Sequence, residues 1–271
     1  MAGQMIVLPG VTAAAGAGAP RVNMNTPDTI AAKIGSLKHA VSARSLSLAA
    51  GGGVSGRCRA TGQPLVPKGT SANTLALYEI AGRTAMGING SGRAALALPA
   101  GSITPSFTTV SAININSADV AGNYSVNFLS GFDGADAYAN LMLRYDGVAT
   151  SNTAIADKLR ASTSASSASA VPAARPAGDW VIVITDYNNQ SRVMSIAVNQ
   201  AVTFSTGVMA AALVPAAESY LEIGYHPDPS SLRASKVGDL YTFNDSLLRN
   251  ELGKSQLVEL VAALKTYYSI A

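Results

Sequence analysis

Few groups in this chain could do covalent chemistry. It carries one cysteine, Cys58, two histidines, His39 and His226, and 16 acidic residues in 271 positions. A serine nucleophile needs a histidine base and a carboxylate that orients it, and no nucleophile elbow is visible. Glycoside hydrolysis needs paired carboxylates, about 5–5.5 Å apart in a retaining enzyme. Alternate positions of one strand would place them on one face, but no strand carries acids in that pattern. Glu218 and Glu222 are four apart, and Glu251 and Glu259 fall on or beside a C-terminal helical pattern. A lone cysteine excludes an intrachain disulfide and a cysteine-built zinc site. Cys58 stands between Arg57 and Arg59, a setting that would lower a thiol pKa, but it also reads as a small strand residue. The sequence points away from an enzyme.

Binding chemistry is better supplied. Calcium takes about six to eight oxygen ligands, usually from Asp, Asn and backbone carbonyls. Asp133 and Asp136, near Asn140, form one candidate calcium loop, and Asp186-Tyr187-Asn188-Asn189 offers a second set. The same residue types are ordinary turn formers. A sugar site needs an exposed aromatic platform with planar polar partners. Tyr187 with Asn188 and Asn189 is one candidate, and Tyr225 with His226 and Asp228 is another. Both lie at expected strand ends, where loops carry function; both also read as edge tyrosines packed beside turns. Trp180 opens the most apolar run of the chain and reads as core.

Composition narrows the partners. Hydrophobic residues make up 48%, a share that leans on Ala, while aromatics are 6% and charged residues 13%. That charged share is about half the usual one, so the surface must be built from Ser, Thr, Asn, Ala and Gly. Such a surface suits an assembled or repeated structure. The net charge is +3 with no cluster of Lys and Arg, and a nucleic-acid reader would show a basic stripe with interleaved aromatics. No run approaches the roughly 18 apolar residues of a membrane span. The apolar N-terminus is interrupted at Pro9 and Gly10 and has no basic leader. The expectation is a protein that neither enters a membrane nor binds nucleic acid and carries no export signal.

The elements that must position these residues read as an arm followed by a sandwich. Residues 1–39 are expected to be a docking arm, Ala, Gly and Pro rich in its first twenty positions. It would hold one short helix after Thr26-Pro27-Asp28 and an exposed His39. From 40 onward the texture is short strands with turn punctuation: Arg44 to Ala50, Leu75 to Ile80, Ala94 to Leu98, Phe107 to Asn116, Asn123 to Leu129 and Leu141 to Tyr145. Gly87 to Gly92 reads as a loop, Asp146-Gly147 as a hairpin turn, and residues 161–176 as a Ser/Ala/Pro-rich insertion. Trp180 to Ile184 is an unbroken apolar run, expected of a strand covered on both faces. Ser195 to Val198 and Ala201 to Phe204 flank Asn199-Gln200, expected as a two-residue hairpin. Leu221 to Tyr225 and Val237 to Phe243 are the last strands. Leu257, Leu260, Val261, Leu264 and Tyr268 then recur at helical spacing, which predicts a closing helix over about 249–268.

The order FTTVSAININ, LMLRYDG, GDWV, SIAVNQAVTF and VGDLYTFNDSLL, closed by a helix, resembles the laminin-G-like branch of the concanavalin A-like jelly-roll domains over residues 100–271. The resemblance implies an all-β, two-sheet antiparallel sandwich. Gln200 stands where members of that family usually turn with Gly. The Ala/Gly/Ser-rich arm also resembles those of tailed-bacteriophage virion proteins. Fold alone does not give function. The expected role is a non-enzymatic structural component of a phage particle, as tail fibre, baseplate or capsid decoration, made in the host cytoplasm and carried on the virion. The arm would dock on other virion proteins, and the chain would form a homo-oligomer such as a trimer. The first alternative is a lectin-like module for a host surface glycan; the second is a diverged polysaccharide hydrolase. No cofactor is implied beyond the candidate calcium.

Overall fold

Strand Trp180–Asn188 shows how the sequence makes the layers. Its alternate side chains go to opposite faces, and both sets are apolar: Val181 and Val183 enter one buried cluster, Trp180, Ile182 and Ile184 another. A strand of this kind needs cover on both sides. A second sheet supplies it on one face and helices on the other.

The computed structural model describes residues 25–49, 53–69, 74–89, 93–133, 138–147, 158–163, 179–227 and 231–271. Their strands are β1 (Leu37–Ser42), β2 (Ser47–Leu48), β3 (Val54–Ser55), β4 (Val66–Gly69), β5 (Thr74–Ile80), β6 (Arg83–Asn89), β7 (Ala94–Ala97) and β8 (Phe107–Asn114). There follow β9 (Val126–Phe132), β10 (Tyr138–Asp146), β11 (Lys158–Ser162), β12 (Trp180–Asn188), β13 (Val193–Val198), β14 (Ser205–Val208), β15 (Tyr220–Gly224) and β16 (Lys236–Phe243). The helices are α1 (Thr26–Ala32), α2 (Ser117–Ala121) and α3 (Glu251–Tyr268). One sheet of eight strands runs β14-β13-β12-β8-β16-β6-β5, with β1 also paired to β16; a second of six runs β11-β10-β9-β15-β7-β4. Every pairing between these strands is antiparallel. The main core lies between the sheets and holds Phe107, Ile113, Phe128, Leu143, Tyr145, Tyr187, Ile223 and Leu240 among others. The fold is the two-sheet sandwich with a closing helix that the sequence predicts.

α3 lies on the outer face of the larger sheet. Its stripe of Leu257, Leu260, Val261, Leu264 and Tyr268 packs with Trp180, Ile182, Ile184 and Tyr241. Fully burying one such side chain is worth about 1.5–3 kcal/mol, so this face, rather than helix propensity, holds α3. Asn250 caps it by accepting from the Gly253 N–H at 2.8 Å, and Ser269 closes it in the left-handed region at φ 56°. Trp180 is core, as expected: its indole donates to the Ile80 carbonyl at 3.2 Å, and its ring lies 4.6 Å from that of Tyr268.

Four expectations are corrected. Residues 25–39, assigned to the arm, belong to the sandwich. α1 is closed by a capping box between Asn25 and Asp28, and Asp28 is buried with Arg44 at 2.8 Å, Arg59 at 2.7 Å and the Tyr241 hydroxyl at 2.8 Å. β1 pairs with β16 from Leu37 onward. A buried charge must be paired, and the cations here, Arg44 and Arg59, belong to the sandwich. Residues 1–24 of the arm lie outside the described residues. His39 is buried beside Cys58, its Nδ1 3.4 Å from the sulfur; burial, helped by Lys38, lowers its pKa to about 4. Gly87 is inside β6 rather than in a loop, because its missing side chain makes room for the stem of Lys236. Finally, β13 pairs with β14 between Val193–Val208 and Ile196–Ser205, so residues 199–204 form the loop. Asn199, at φ 57°, instead docks on β12, exchanging hydrogen bonds of 2.8 Å with the backbone of Ile182.

Candidate functional site

The outer face of the six-stranded sheet is polar and aromatic where the opposite face of the sandwich is apolar and covered by helices. β15 reads Tyr-Leu-Glu-Ile-Gly. Leu221 and Ile223 point into the core, and the alternation puts Tyr220 and Glu222 on the outer face. Register extends that face across the sheet. Glu222 pairs with Ser130 of β9 on one side and Ala97 of β7 on the other. Ser130 pairs with Met142 of β10, and Met142 with Ser162 of β11. Tyr220 pairs with Phe132. A bulge between Leu129 and Asn127 sends both Leu129 and Phe128 into the core and returns Asn127 to the outer face, opposite Arg144.

The chain leaves β15 through Gly224 and turns back over this face. Gly224 has φ +95°, and a Cβ there would sit 2.7 Å from Ser231 Oγ and 2.9 Å from the Ala94 carbonyl, so only glycine fits. Ser231 pins the turn, accepting from the Tyr225 N–H at 2.8 Å and donating to Ala94 O at 2.7 Å. Tyr225 and His226 are thereby laid against Phe132, with ring centroids 5.8 and 5.1 Å away, while Tyr220 stacks on Phe132 at 5.5 Å. Lys68 of β4 reaches over the Tyr220 ring at 4.9 Å. Glu222 is fully buried under this cluster. It accepts from the His226 N–H at 2.9 Å, and its other oxygen lies 2.9 Å from His226 Nδ1. Burial raises the Glu222 pKa, and its bonds to His226 oppose that shift. Tyr225, His226 and Lys68 are only half-buried. They form an aromatic and hydrogen-bonding surface held rigid from beneath.

Farther along the same face stands a second polar group. Asp146 of β10 is fully buried and meets Arg144 and, at 2.7 Å, Arg160 of β11. Between the two groups lie Asn127 and Ser130, both buried, whose Oδ1 and Oγ have no hydrogen-bond partner among the described residues.

The sequence candidates divide between the two sheets. Tyr225 and His226 come together in the cluster above; Asp228 lies outside the described residues. Tyr187 sits in the larger sheet at 0% exposure, packed on Phe107 with ring centroids 5.8 Å apart, so it presents no ring to solvent. Asn188 caps its own turn, accepting from the N–H groups of Gln190 and Ser191 at 3.0 and 3.3 Å. Asn189 ties down the 213 backbone through both amide atoms, at 2.8 and 3.1 Å. These three positions act in folding. Asp186 is buried and held by Thr108 and Ser246 on the helix-covered side, so it cannot join Asn188 and Asn189 around a calcium ion. Asp133 is half-buried at the end of β9, whereas Asp136 and the Asn140 side chain lie outside the described residues. Among the described residues no three His, Cys, Asp or Glu side chains gather as metal ligands would. The sequence reading missed Phe132, Tyr220, Glu222, Lys68, Arg144, Asp146 and Arg160. The period-two pattern of Tyr220 and Glu222, and the i,i+4 spacing of Glu222 and His226, were legible signals.

No family model matches the sequence, and no curated protein matches it. Solved structures do. Domain 4 of AbnA, a GH43 extracellular arabinanase from Geobacillus stearothermophilus, aligns over 83% of this chain and 98% of its own, with a TM-score of 0.54 and 12% identity. Trypanosoma rangeli sialidase aligns over 85% of this chain and 33% of its own, with a TM-score of 0.54 and 15% identity. The structure HCR/D-Sa-GBL1/C aligns over 84% and 52%, with a TM-score of 0.54 and 11% identity. The chain shares with these structures the fold of a two-sheet antiparallel β-sandwich. The chain spans nearly all of the arabinanase domain but about a third of the sialidase and half of HCR/D-Sa-GBL1/C. Among the described residues no helix is long and apolar enough to cross a membrane.

Proposed function

We propose that this chain is a carbohydrate-binding module that holds its ligand, without turnover, on the outer face of the six-stranded sheet. The observation that carries the reading is the half-buried pair Tyr225 and His226, locked onto Phe132 and tied to the buried Glu222. Sugars are recognised by an aromatic ring that meets C–H faces and by fixed polar groups that meet hydroxyls. A ring braced by stacking and a histidine braced by a buried carboxylate lose little entropy on binding. The arabinanase domain of similar fold was solved in complex with arabinotriose, which supports a sugar as ligand.

A docking role on a phage particle is the weaker proposal. It rests on the composition of residues 1–24, whereas the sugar reading has a positioned surface behind it. Titration calorimetry with a panel of arabinan, galactan and acidic oligosaccharides tests the sugar reading. Binding to one class, lost in Tyr225→Ala and His226→Ala and kept in Val214→Ala, is the expected result. Failure of the whole panel to bind, or binding indifferent to both substitutions, would overturn it.

A further inference from the structure

We infer that the ligand of this face is an acidic oligosaccharide, one carrying carboxylate or sulfate groups, and that Arg144 and Arg160 receive its charge; this rests on the carbohydrate-binding reading above. Arg144 and Arg160 stand directly opposite each other on β10 and β11. Both are directed to one carboxylate, that of Asp146, which is fully buried. Two guanidinium groups on one carboxylate leave a net positive charge, and among the described residues no second acid meets either arginine. Arg160 spends its Nε on Asp146, and among the described residues its Nη2 meets only Met142 Sδ, at 3.9 Å. A guanidinium offers five donors in a planar fork that matches carboxylate and sulfate oxygens. Most of those donors have no partner among the described residues.

A second, independent feature points to the same place. Asn127 is directly opposite Arg144 and Ser130 directly opposite Met142. Asn127 is 3% exposed and Ser130 0%, and Asn127 Oδ1 and Ser130 Oγ have no partner among the described residues. Buried polar atoms are almost always satisfied; these two stand in register between the arginine pair and Glu222, where ligand hydroxyls would satisfy them. The face then divides its work. Tyr225 and His226, braced by the buried Phe132, hold the ring of one sugar, Asn127 and Ser130 take hydroxyls, and the arginines take the anion. Glu222, the acid beneath the aromatic cluster, is countered by His226 and Lys68.

The test is calorimetric titration of the full chain with matched ligand pairs: polygalacturonate oligomers and their methyl esters, and sulfated and unsulfated galactan oligomers, at about 20 and 300 mM salt. Surface charge attraction weakens strongly across that range. The expected result is about tenfold tighter binding of one acidic member over its neutral partner, with the advantage shrinking at high salt. Arg160→Gln should erase the advantage of the acidic member over its neutral partner. The salt series on the unaltered chain needs no variant, so it decides even if Arg160→Gln fails to fold. Equal, salt-independent binding of acidic and neutral members overturns this inference and leaves the sugar reading standing. Binding of neither overturns both.

Discussion

Asp186 and Ser246, 60 positions apart in the sequence, meet as carboxylate and hydroxyl at 2.8 Å. Thr108 donates to the other oxygen of Asp186 at 2.6 Å and accepts from the Leu247 N–H at 2.9 Å. The network fastens the turn that begins α3 to β8 and β12. Burial raises the Asp186 pKa to about 6, against the opposing pull of these hydrogen bonds.

That shift fixes a pH dependence. The folded state holds the Asp186 proton up to about pH 6, whereas an unfolded aspartate releases it near 3.8. Between those values the folded state binds more protons, so stability falls as pH rises, by a total on the order of 3 kcal/mol, and levels off above. Urea unfolding of the parent chain and Asp186→Asn at pH 4.5, 6 and 8 reads this. The stability of Asp186→Asn relative to the parent should climb from pH 4.5 to about 6.5 and then stay flat. A difference that is constant with pH would show Asp186 to be charged throughout.

Tyr187 and Tyr225 looked alike as sequence candidates, and their substitutions should part company. Tyr187→Ala removes a fully enclosed ring from the core and should cost about 3–5 kcal/mol of stability. Tyr225→Ala trims a half-buried ring and should cost about 1 kcal/mol or less while losing oligosaccharide binding. Thermal melts with binding titrations on both variants separate the two. A Tyr225→Ala chain that binds sugar normally would remove Tyr225 from the site.

Gly224→Ala is a small change with a large expected consequence. It forces a side chain into a positive-φ position and against the Ala94 carbonyl and Ser231. The cost should be about 2 kcal/mol or more. Because Tyr225 and His226 are set by this turn, binding should fall even at temperatures where the variant remains folded. Preserved affinity would show that the turn tolerates another path.

His226→Ala would leave the buried carboxylate of Glu222 with only a backbone partner. The expected loss is about 1–3 kcal/mol at neutral pH, and it should shrink toward low pH, where protonated Glu222 no longer needs the partner. Burial raises the Glu222 pKa, so the recovery should begin above the ordinary glutamate range. Denaturant midpoints for the variant and parent across pH 4–7 test the sign.

A chain begun at residue 40 removes α1, the first half of β1 and the Asp28 carboxylate. Arg44 and Arg59 would then lose the acid they share, and the Tyr241 hydroxyl its acceptor. Removing one partner of a buried ion pair is strongly destabilising, so that chain should be about 3 kcal/mol less stable than one begun at residue 25. Equal melting temperatures would return residues 25–39 to the role of an arm.

Local pattern decided a good deal of this protein. The period-two strands, the unbroken run from Trp180, the helical stripe from Leu257 to Tyr268 and the Pro27 start of the first helix are all statements about near neighbours, and near neighbours are what a sequence displays. They determined the strands and the closing helix, and the order of those strands carried the resemblance that implied an antiparallel sandwich. The tertiary structure decided what depends on residues far apart. It enclosed Tyr187 and left Tyr225 at the surface, because each lies on a different sheet with different cover. It drew Asp28 into the body through arginines 16 and more positions away and Tyr241 over 200 away. It also assembled Phe132, Glu222, Arg144 and Arg160 on one face through strand register, which no single segment of the chain contains.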